Sequence, residues 1–317
     1  MNNWNDYLIE ALQKKYPKKV QLVNALMELL SIERESAYRR LRKEIIFSVQ
    51  ELVKIAAEWH ISLDEIIGLK SNQISFWVRI FNYINPSEEE LDSVRTRVQN
   101  LNNAKKMPDM EYMEICNKLP RSFAAGFPYI EKFYLLQWMY QYANEEILPF
   151  SKISYPENLA KVSSDYYMAV KNVPHVSYIW DHMIINCLVQ NIRYFHSIYL
   201  ITDEEKELIK SDLYALLNYT SKVATRGCWP ETGNKVSLYI SQIHIDTNYS
   251  YYYSKELKVC RIQAFAKNEI YTKNSIMVED FKNWMQSKKR ATIQISQTSE
   301  KSRIEFFMKQ NKLIETL

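Results

Sequence analysis

The chain has 317 residues, of which 47% are hydrophobic and 25% are charged, and its formal net charge is +4. This composition is ordinary for a globular protein, and the length indicates two or three folding units. Only four glycines are present, which argues against glycine-rich loops that cradle nucleotides and favours helices over glycine-rich β architectures.

The first 70 residues predict five short helices. Apolar spacing indicates helices over residues 4–15, 19–30 and 33–43, and a capping box from Ser48 to Glu51 begins a fourth. A second capping box at Ser62 begins a fifth helix that Gly68 ends. The inward side chains of the second helix are predicted to be Val20, Val23, Leu26, Met27 and Leu30.

The third predicted helix concentrates positive charge. Five cations and Tyr38 lie between Arg34 and Lys43. Ala37 and Leu41 are four residues apart and should face the core, which leaves the charged positions outside. A helix with several arginines is most often a solvated face, so the charge alone does not decide its function.

The rest of the chain predicts more helices, followed by a mixed end. Residues 71–225 read as mostly helical, including an apolar helix over 76–84 and helices capped by Ser87 and Thr202. After Gly227 the pattern alternates, which predicts strands in 236–246, 257–266 and 292–296, and two further helices fill 278–290 and 299–314. The predicted fold is mainly α, with a helical unit at 1–70, a linker at 69–75, and a region 71–317 that ends in a small α+β part, with a possible sub-boundary near residue 230.

Two apolar stretches allow alternative interpretations. The tyrosine-rich segment 248–254 is either the wall of a ligand pocket or, as we favour, a turn or edge strand with half-buried rings. The apolar residues in 76–84 either form a dimer interface or pack on their own domain. These residues are Phe76, Trp77, Ile80, Phe81 and Ile84.

Chemical motifs are scarce. The histidines after residue 70 show no metal-ligand spacing, and no GxSxG, HExxH, Walker or GxGxxG pattern occurs. The four cysteines form no CxxC pair, so we interpret them as reduced thiols. The N-terminus lacks a secretory signal pattern, and no apolar run reaches the roughly 20 residues of a membrane helix. We therefore expect a cytoplasmic protein that is not an enzyme and has no metal, cofactor or membrane contact.

The segment LMELLSIERESAYRRLRKEIIFSVQELVKIAAEWHISLDEIIG carries a family resemblance. It resembles the helix-turn-helix of Cro/phage-repressor-like (XRE) transcription regulators, and SAYRRLRKEIIFSVQEL is similar to the BetR-type branch, in which paired arginines follow an aromatic residue. The resemblance covers roughly residues 4–70. It implies a five-helix DNA-binding domain whose second and third helices form the DNA-reading unit.

The resemblance also implies which residues contact DNA. The recognition helix falls on residues 33–43, with base contacts expected from Arg34, Glu35, Tyr38 and Arg39. Phosphate contacts are expected from Lys18, Lys19, Arg40, Arg42 and Lys43. Two features depart from the family pattern: Glu33 or Ser31 stands at the usual cap of the third helix, and no glycine follows that helix near Lys43.

These observations predict a sequence-specific regulator of double-stranded DNA. We expect it to act as a homodimer, with residues 71–317 providing dimerisation and sensing of a small-molecule or protein effector. The alternatives are an enzyme or a protein-interaction scaffold that carries an appended helix-turn-helix, or a module of this fold that has lost DNA binding.

Overall fold

The computed structural model describes residues 4–59, 61, 74–142, 147–265 and 268–317. The chain divides into two compact units, residues 1–75 and residues 76–317. The predicted linker at 69–75 lies mostly outside the described residues, as does the fifth helix predicted from Ser62 to Gly68.

The described part of the first unit is built from short helices. They are α1 (Trp4–Lys15), α2 (Lys19–Leu30), α3 (Arg34–Leu41) and α4 (Val49–Trp59). The observed bounds of α1 and α2 are those predicted, because Pro17 separates two segments with clear apolar periodicity. Their buried faces form one core, which includes Leu8, Leu12, Leu26, Ala37 and Ile55. The capping box that begins α4 is also present, since the Glu51 backbone N–H donates to Ser48 Oγ at 3.2 Å.

One inward assignment in α2 is wrong. Val20 is 54% exposed, and Leu22 takes a place in the core instead. Leu22, Leu26 and Leu30 recur every four residues and therefore define the buried stripe of this helix. Val20 lies off that stripe.

The second unit contradicts the predicted mainly α fold with a small α+β end. Its core is an eight-stranded mixed sheet with the order β1-β7-β6-β5-β2-β3-β4-β8. The strands are β1 (Trp77–Arg79), β2 (Glu111–Cys116), β3 (His175–Asp181), β4 (Lys235–Ser241), β5 (Tyr249–Tyr253), β6 (Lys258–Gln263), β7 (Glu269–Thr272) and β8 (Thr292–Gln294). β2, β3 and β4 are parallel neighbours, whereas the other described pairings are antiparallel.

Helices cover both faces of this sheet. They are α5 (Glu88–Asn103), α6 (Arg121–Ala124), α7 (Pro128–Tyr142), α8 (Glu157–Val170), α9 (Ile184–Ser197), α10 (Asp203–Arg226), α11 (Ser275–Ser287) and α12 (Glu300–Glu315). The main core lies between one sheet face and the helices α5 to α10 and α12. The opposite face packs its own cluster against α11, through Val278, Phe281 and Met285. The sheet includes strands from both sides of residue 230, so residues 76–317 form a single unit.

The sequence pattern missed β1, β2, β3 and β7, and no element was predicted over the residues of β7. β2 and β3 are buried on both faces, with Tyr112 and Tyr178 on one side and Met113 and Ile179 on the other. In strands covered on both faces, buried side chains do not alternate with solvent-facing ones, so β2 and β3 lack the period-two pattern and were read as helix. β1 was likewise predicted as part of a helix over 76–84, but this short edge strand pairs antiparallel with β7.

The tyrosine-rich segment is also more central than predicted. It forms β5, an interior strand between β2 and β6. Tyr251 and Tyr252 are fully buried on opposite faces, so the expectation of a turn or edge strand with half-buried rings was wrong. The strands β4, β6 and β8 and the helices α10, α11 and α12 were predicted, because their local patterns are amphipathic or well capped. Among the described residues, no helix has the length and apolar character that crossing a membrane requires.

Candidate functional sites

A tight turn connects α2 to α3. Three residues separate the helices, and Ser31 adopts the left-handed conformation at φ 53° and ψ 47°. The backbone N–H groups of Ser31 and Ile32 both donate to the carbonyl of Met27. Glu33 occupies the N-cap position of α3, but its side chain makes no capping hydrogen bond.

The buried side of α3 is as predicted. Ala37 is fully buried and Leu41 is 8% exposed, and both belong to the core of the first unit. The opposite side carries Glu35 and Arg39, and Arg34, the first residue of α3, is exposed as well. Tyr38 is half-buried, with the Lys19 ammonium 5.6 Å from its ring centroid. The base-contact candidates therefore lie on the accessible part of this helix.

Several cations of α3 make intramolecular ion pairs at the surface. Arg42 donates to Glu44 at 2.6 Å and to Glu35 at 2.7 Å, and these hydrogen bonds raise its pKa. Arg39 lies 3.4 Å from Glu44 with its side chain 51% exposed. Exposed pairs of this kind contribute little because water and salt screen them, so a phosphate can replace the carboxylate.

Arg40 is held differently from its neighbours. Its guanidinium donates to both carboxylate oxygens of Glu51, at 2.7 and 3.3 Å, and to Ser36 Oγ at 2.6 Å. The Arg40 side chain is only 13% exposed. Burial opposes the ionisation of Glu51, but the hydrogen bonds from Arg40 and Ser48 lower its pKa overall. Arg40 thus ties α3 to the start of α4 and is not available in the way that Arg39 is.

The other phosphate-contact candidates lie around the same helix. Lys18 precedes α2 and Lys19 is its first residue, and both are exposed. Lys43 adopts a positive φ of 66° and its ammonium lies 2.7 Å from Asp6. The left-handed position that a glycine often fills is therefore occupied here by a lysine.

A cavity of about 270 Å³ lies inside the second unit, and Tyr249 and Tyr252 of the tyrosine-rich segment line it, as in the pocket-wall alternative that the sequence analysis did not favour. It opens beside the sheet face that carries Glu114 and Arg261, and Arg97 of α5 and Arg121 of α6 also line it. These residues come from separate elements and share no local motif. Only the pairing of the strands and the packing of the helices bring them together.

Two histidines, His182 and His244, contact a structural carboxylate. Asp181 is buried and accepts hydrogen bonds from the backbone N–H groups of Met183 and Ile245, each at 2.7 Å. His244 Nδ1 lies 2.9 Å and His182 Nδ1 3.5 Å from the same carboxylate. In the part of the chain that the structure describes, no cluster of three or more His, Cys, Asp or Glu side chains has the arrangement of a metal site.

Comparisons with protein-family models, with curated proteins and with solved structures found no match for this chain. The functional argument therefore depends on the residues and geometry described above.

Proposed function

We propose that the protein is a sequence-specific regulator that binds double-stranded DNA through α3, as the helix-turn-helix resemblance implies. The observation that carries this proposal is the asymmetry of α3. Ala37 and Leu41 anchor one side in the core, Glu35 and Arg39 extend from the other side, and Arg34 is exposed at the first turn. A helix of this kind fits the major groove of B-DNA with its outer side chains towards the base edges.

Arginine suits this function because its planar fork of donors matches guanine O6 and N7. Arg39 and Arg34 are our candidates for base contacts, together with Glu35 and Tyr38. Lys18, Lys19, Arg42 and Lys43 are our candidates for phosphate contacts, which supply most of the sequence-independent affinity. We leave Arg40 out of that set because its donors already bind Glu51 and Ser36.

Dimerisation forms part of the proposal because one small module buries too little surface to bind a single site tightly. Two modules on half-sites about 34 Å apart multiply the effective local concentration. The exposed side chains of Trp77, Val78 and Ile80, at the edge strand β1, are our candidates for part of the dimer contact.

Selection of bound duplexes from a random DNA pool tests the proposal. We expect one enriched sequence with two related half-sites, and the absence of any enriched sequence would contradict the proposal. On that duplex, Arg39→Ala should weaken binding by about 1–3 kcal/mol and relax the preference at one base pair. Fluorescence anisotropy against the selected and scrambled duplexes measures both effects.

Arg42→Ala is the matched comparison for Arg39→Ala. As a phosphate contact, Arg42 should affect selected and scrambled duplexes alike and reduce the salt dependence of binding by about one unit of slope. Arg226→Ala, an exposed position in the second unit, should leave binding unchanged. Equal affinities of parent and Arg39→Ala would remove Arg39 from the base contacts.

The cavity favours a second candidate, an enzyme with an appended DNA-binding module. Burial raises the pKa of Glu114 to about 7, although a hydrogen bond from Tyr112 opposes the shift. A carboxyl group with a pKa near neutrality inside a cavity suits general acid–base catalysis.

Incubation with a pool of small anions, followed by mass spectrometry, separates the candidates. Consumption that Glu114→Gln abolishes supports the enzyme, and an unchanged pool contradicts it.

A further inference from the structure

The walls of the cavity combine many charged groups. Five basic side chains line it, against three acidic ones: Arg79, Arg97, Lys118, Arg121 and Arg261, and Glu114, Glu131 and Glu269. Glu114 is the weakest of these acids, since its pKa of about 7 leaves it partly protonated at neutral pH. The lining therefore carries an excess of positive charge, and apart from Lys118, which is exposed, these charged groups are partly or fully buried.

Two of the arginines share one carboxylate. Arg97 pairs with Glu269 through two of its nitrogens, and Arg261 Nε lies 3.7 Å from the same side chain. Burial opposes the ionisation of Glu269, but the two arginines lower its pKa to about 2. Burial and the repulsion from Arg97 together lower the pKa of Arg261. One negative charge thus serves two buried guanidinium groups and leaves one positive charge uncompensated.

Each of three cavity arginines also has a buried donor without a hydrogen-bond partner among the described residues. The donors are Arg97 Nε, one terminal nitrogen of Arg121 and one terminal nitrogen of Arg261. A buried donor without an acceptor destabilises a protein by roughly 1–3 kcal/mol, and more when it is charged. Three such groups around one cavity indicate a site whose polar groups are arranged for something other than stability.

The three arginines line the same cavity together with aromatic rings. Tyr166 lines the cavity with them, and the Arg97 guanidinium lies 5.8 Å from its ring centroid. Tyr166 also shares a hydrogen bond with Tyr252 at 3.2 Å, and the Arg261 guanidinium lies 4.7 Å from the Tyr252 ring centroid. These rings restrict the guanidinium groups and exclude water, which strengthens any charge-assisted hydrogen bond formed there.

The remaining wall of the cavity can contact the uncharged part of an organic ligand. Gln137, Trp138 and Gln141 of α7 and Asn191 of α9 line the cavity away from the sheet. Amide groups can donate to and accept from hydroxyl or carbonyl groups, and the indole offers an apolar face. A volume of about 270 Å³ is near the lower end for small-molecule sites and fits a metabolite-sized ligand.

We propose that this cavity binds a small organic anion, with its carboxylate or phosphate group held by Arg97, Arg121 and Arg261. Guanidinium groups bind both oxyanions through paired hydrogen bonds, so the chemistry they recognise is shared. The inference rests on the proposed regulator function and names the ligand class for the effector sensing that the sequence analysis expects of residues 71–317. It is tested without DNA, so its failure and the failure of DNA binding are separate results.

Thermal unfolding and calorimetric titration of the full chain test this site. The probes are succinate and citrate as carboxylates, inorganic phosphate and glycerol 3-phosphate as phosphates, and succinamide and glycerol as neutral counterparts. We expect one oxyanion class, at about ten times its Kd, to raise the Tm by about 3–6 °C while the neutral compounds do not. The class that binds identifies the ligand as a carboxylate or a phosphate.

Two variants separate binding in the cavity from general effects of anions on stability. Arg121→Lys keeps the charge but loses the fork, and Arg261→Gln removes the charge. Both should weaken binding at least tenfold, whereas Arg226→Gln at the exposed end of α10 should bind as the parent does. If Arg261→Gln fails to fold by circular dichroism, Arg121→Lys decides alone. Binding of no oxyanion by the parent, or an equal response in Arg121→Lys and parent, overturns the proposal.

Discussion

Arg39 and Arg40 are adjacent in the chain and differ completely in their surroundings. Successive residues of a helix point about 100° apart, so the two side chains leave α3 in different directions. Arg39 is 51% exposed, whereas Arg40 is 13% exposed and bound to Glu51 and Ser36. Counting cations in the sequence therefore overestimates how many of them face solvent. For this reason we remove Arg40 from the DNA-contact candidates.

This difference predicts opposite consequences for stability. Arg40→Ala leaves the partly buried Glu51 without its guanidinium partner and should lower the free energy of unfolding by about 1–2 kcal/mol. Arg39→Ala removes only a screened surface contact and should change it by less than about 0.5 kcal/mol. Urea denaturation followed by circular dichroism measures both. Equal effects of the two substitutions would show that Arg40 is not a structural residue.

Glu114 predicts a dependence of stability on pH. Its pKa is about 7 in the folded protein against an ordinary value of 4.5, so the folded state binds the proton more tightly than the unfolded state. Stability from this group is fully present below pH 4.5 and is lost as the pH rises through 7. In the parent, stability should therefore fall by on the order of 2 kcal/mol between acidic and mildly alkaline pH, and this fall should be absent in Glu114→Gln.

Denaturation midpoints measured across that pH range check the Glu114 prediction. Glu256→Gln, at an exposed position, is the control and should retain the pH dependence of the parent. A decline of unchanged size in Glu114→Gln would mean that another group is responsible.

At the scale of elements, the turn between α2 and α3 contains conformational strain. Ser31 is in the left-handed region, which disfavours residues with a Cβ atom and suits glycine. Ser31→Gly should raise the free energy of unfolding by about 0.5–1 kcal/mol, because the relieved strain exceeds the added flexibility of the unfolded chain. Thermal unfolding with calorimetric detection measures the change.

A glycine elsewhere in the same helix gives the control for this prediction. Glu28 is exposed within α2, and Glu28→Gly should destabilise the protein by about 0.5–1 kcal/mol because glycine is a poor helix former. Destabilisation by both substitutions would show that the left-handed turn is not strained.

An element was predicted correctly when the residues that determine its structure lie close to it in the sequence. Helices α1, α2 and α10 were predicted because proline breaks, apolar periodicity and capping boxes lie within each segment. β2 and β3 were missed, and β5 was expected only as a turn or edge strand, because both faces of these strands are covered by residues that are distant in the sequence. In such strands the alternation of polar and apolar residues disappears, and a buried strand resembles a buried helix.

At the scale of the whole molecule, the two units carry different candidate functions. The first unit presents a helix whose charge and spacing are visible in one short segment. The second unit is a mixed sheet with helices on both faces, and its cavity collects Arg97, Arg121 and Arg261 from α5, α6 and β6. We propose DNA reading for the first unit and anion sensing for the second, and each has its own experiment.

The sequence by itself determined helices α1 to α4, the anchoring of α3 by Ala37 and Leu41, and the amphipathic elements near the C-terminus. These features depend on neighbours within a few turns of the chain. Tertiary structure alone decided the eight-stranded sheet, the retention of Arg40 by Glu51, and the three-arginine cavity. The physical reason is that strand pairing, burial and electrostatic partnership join residues that lie far apart in sequence, and no local pattern encodes which ones will meet.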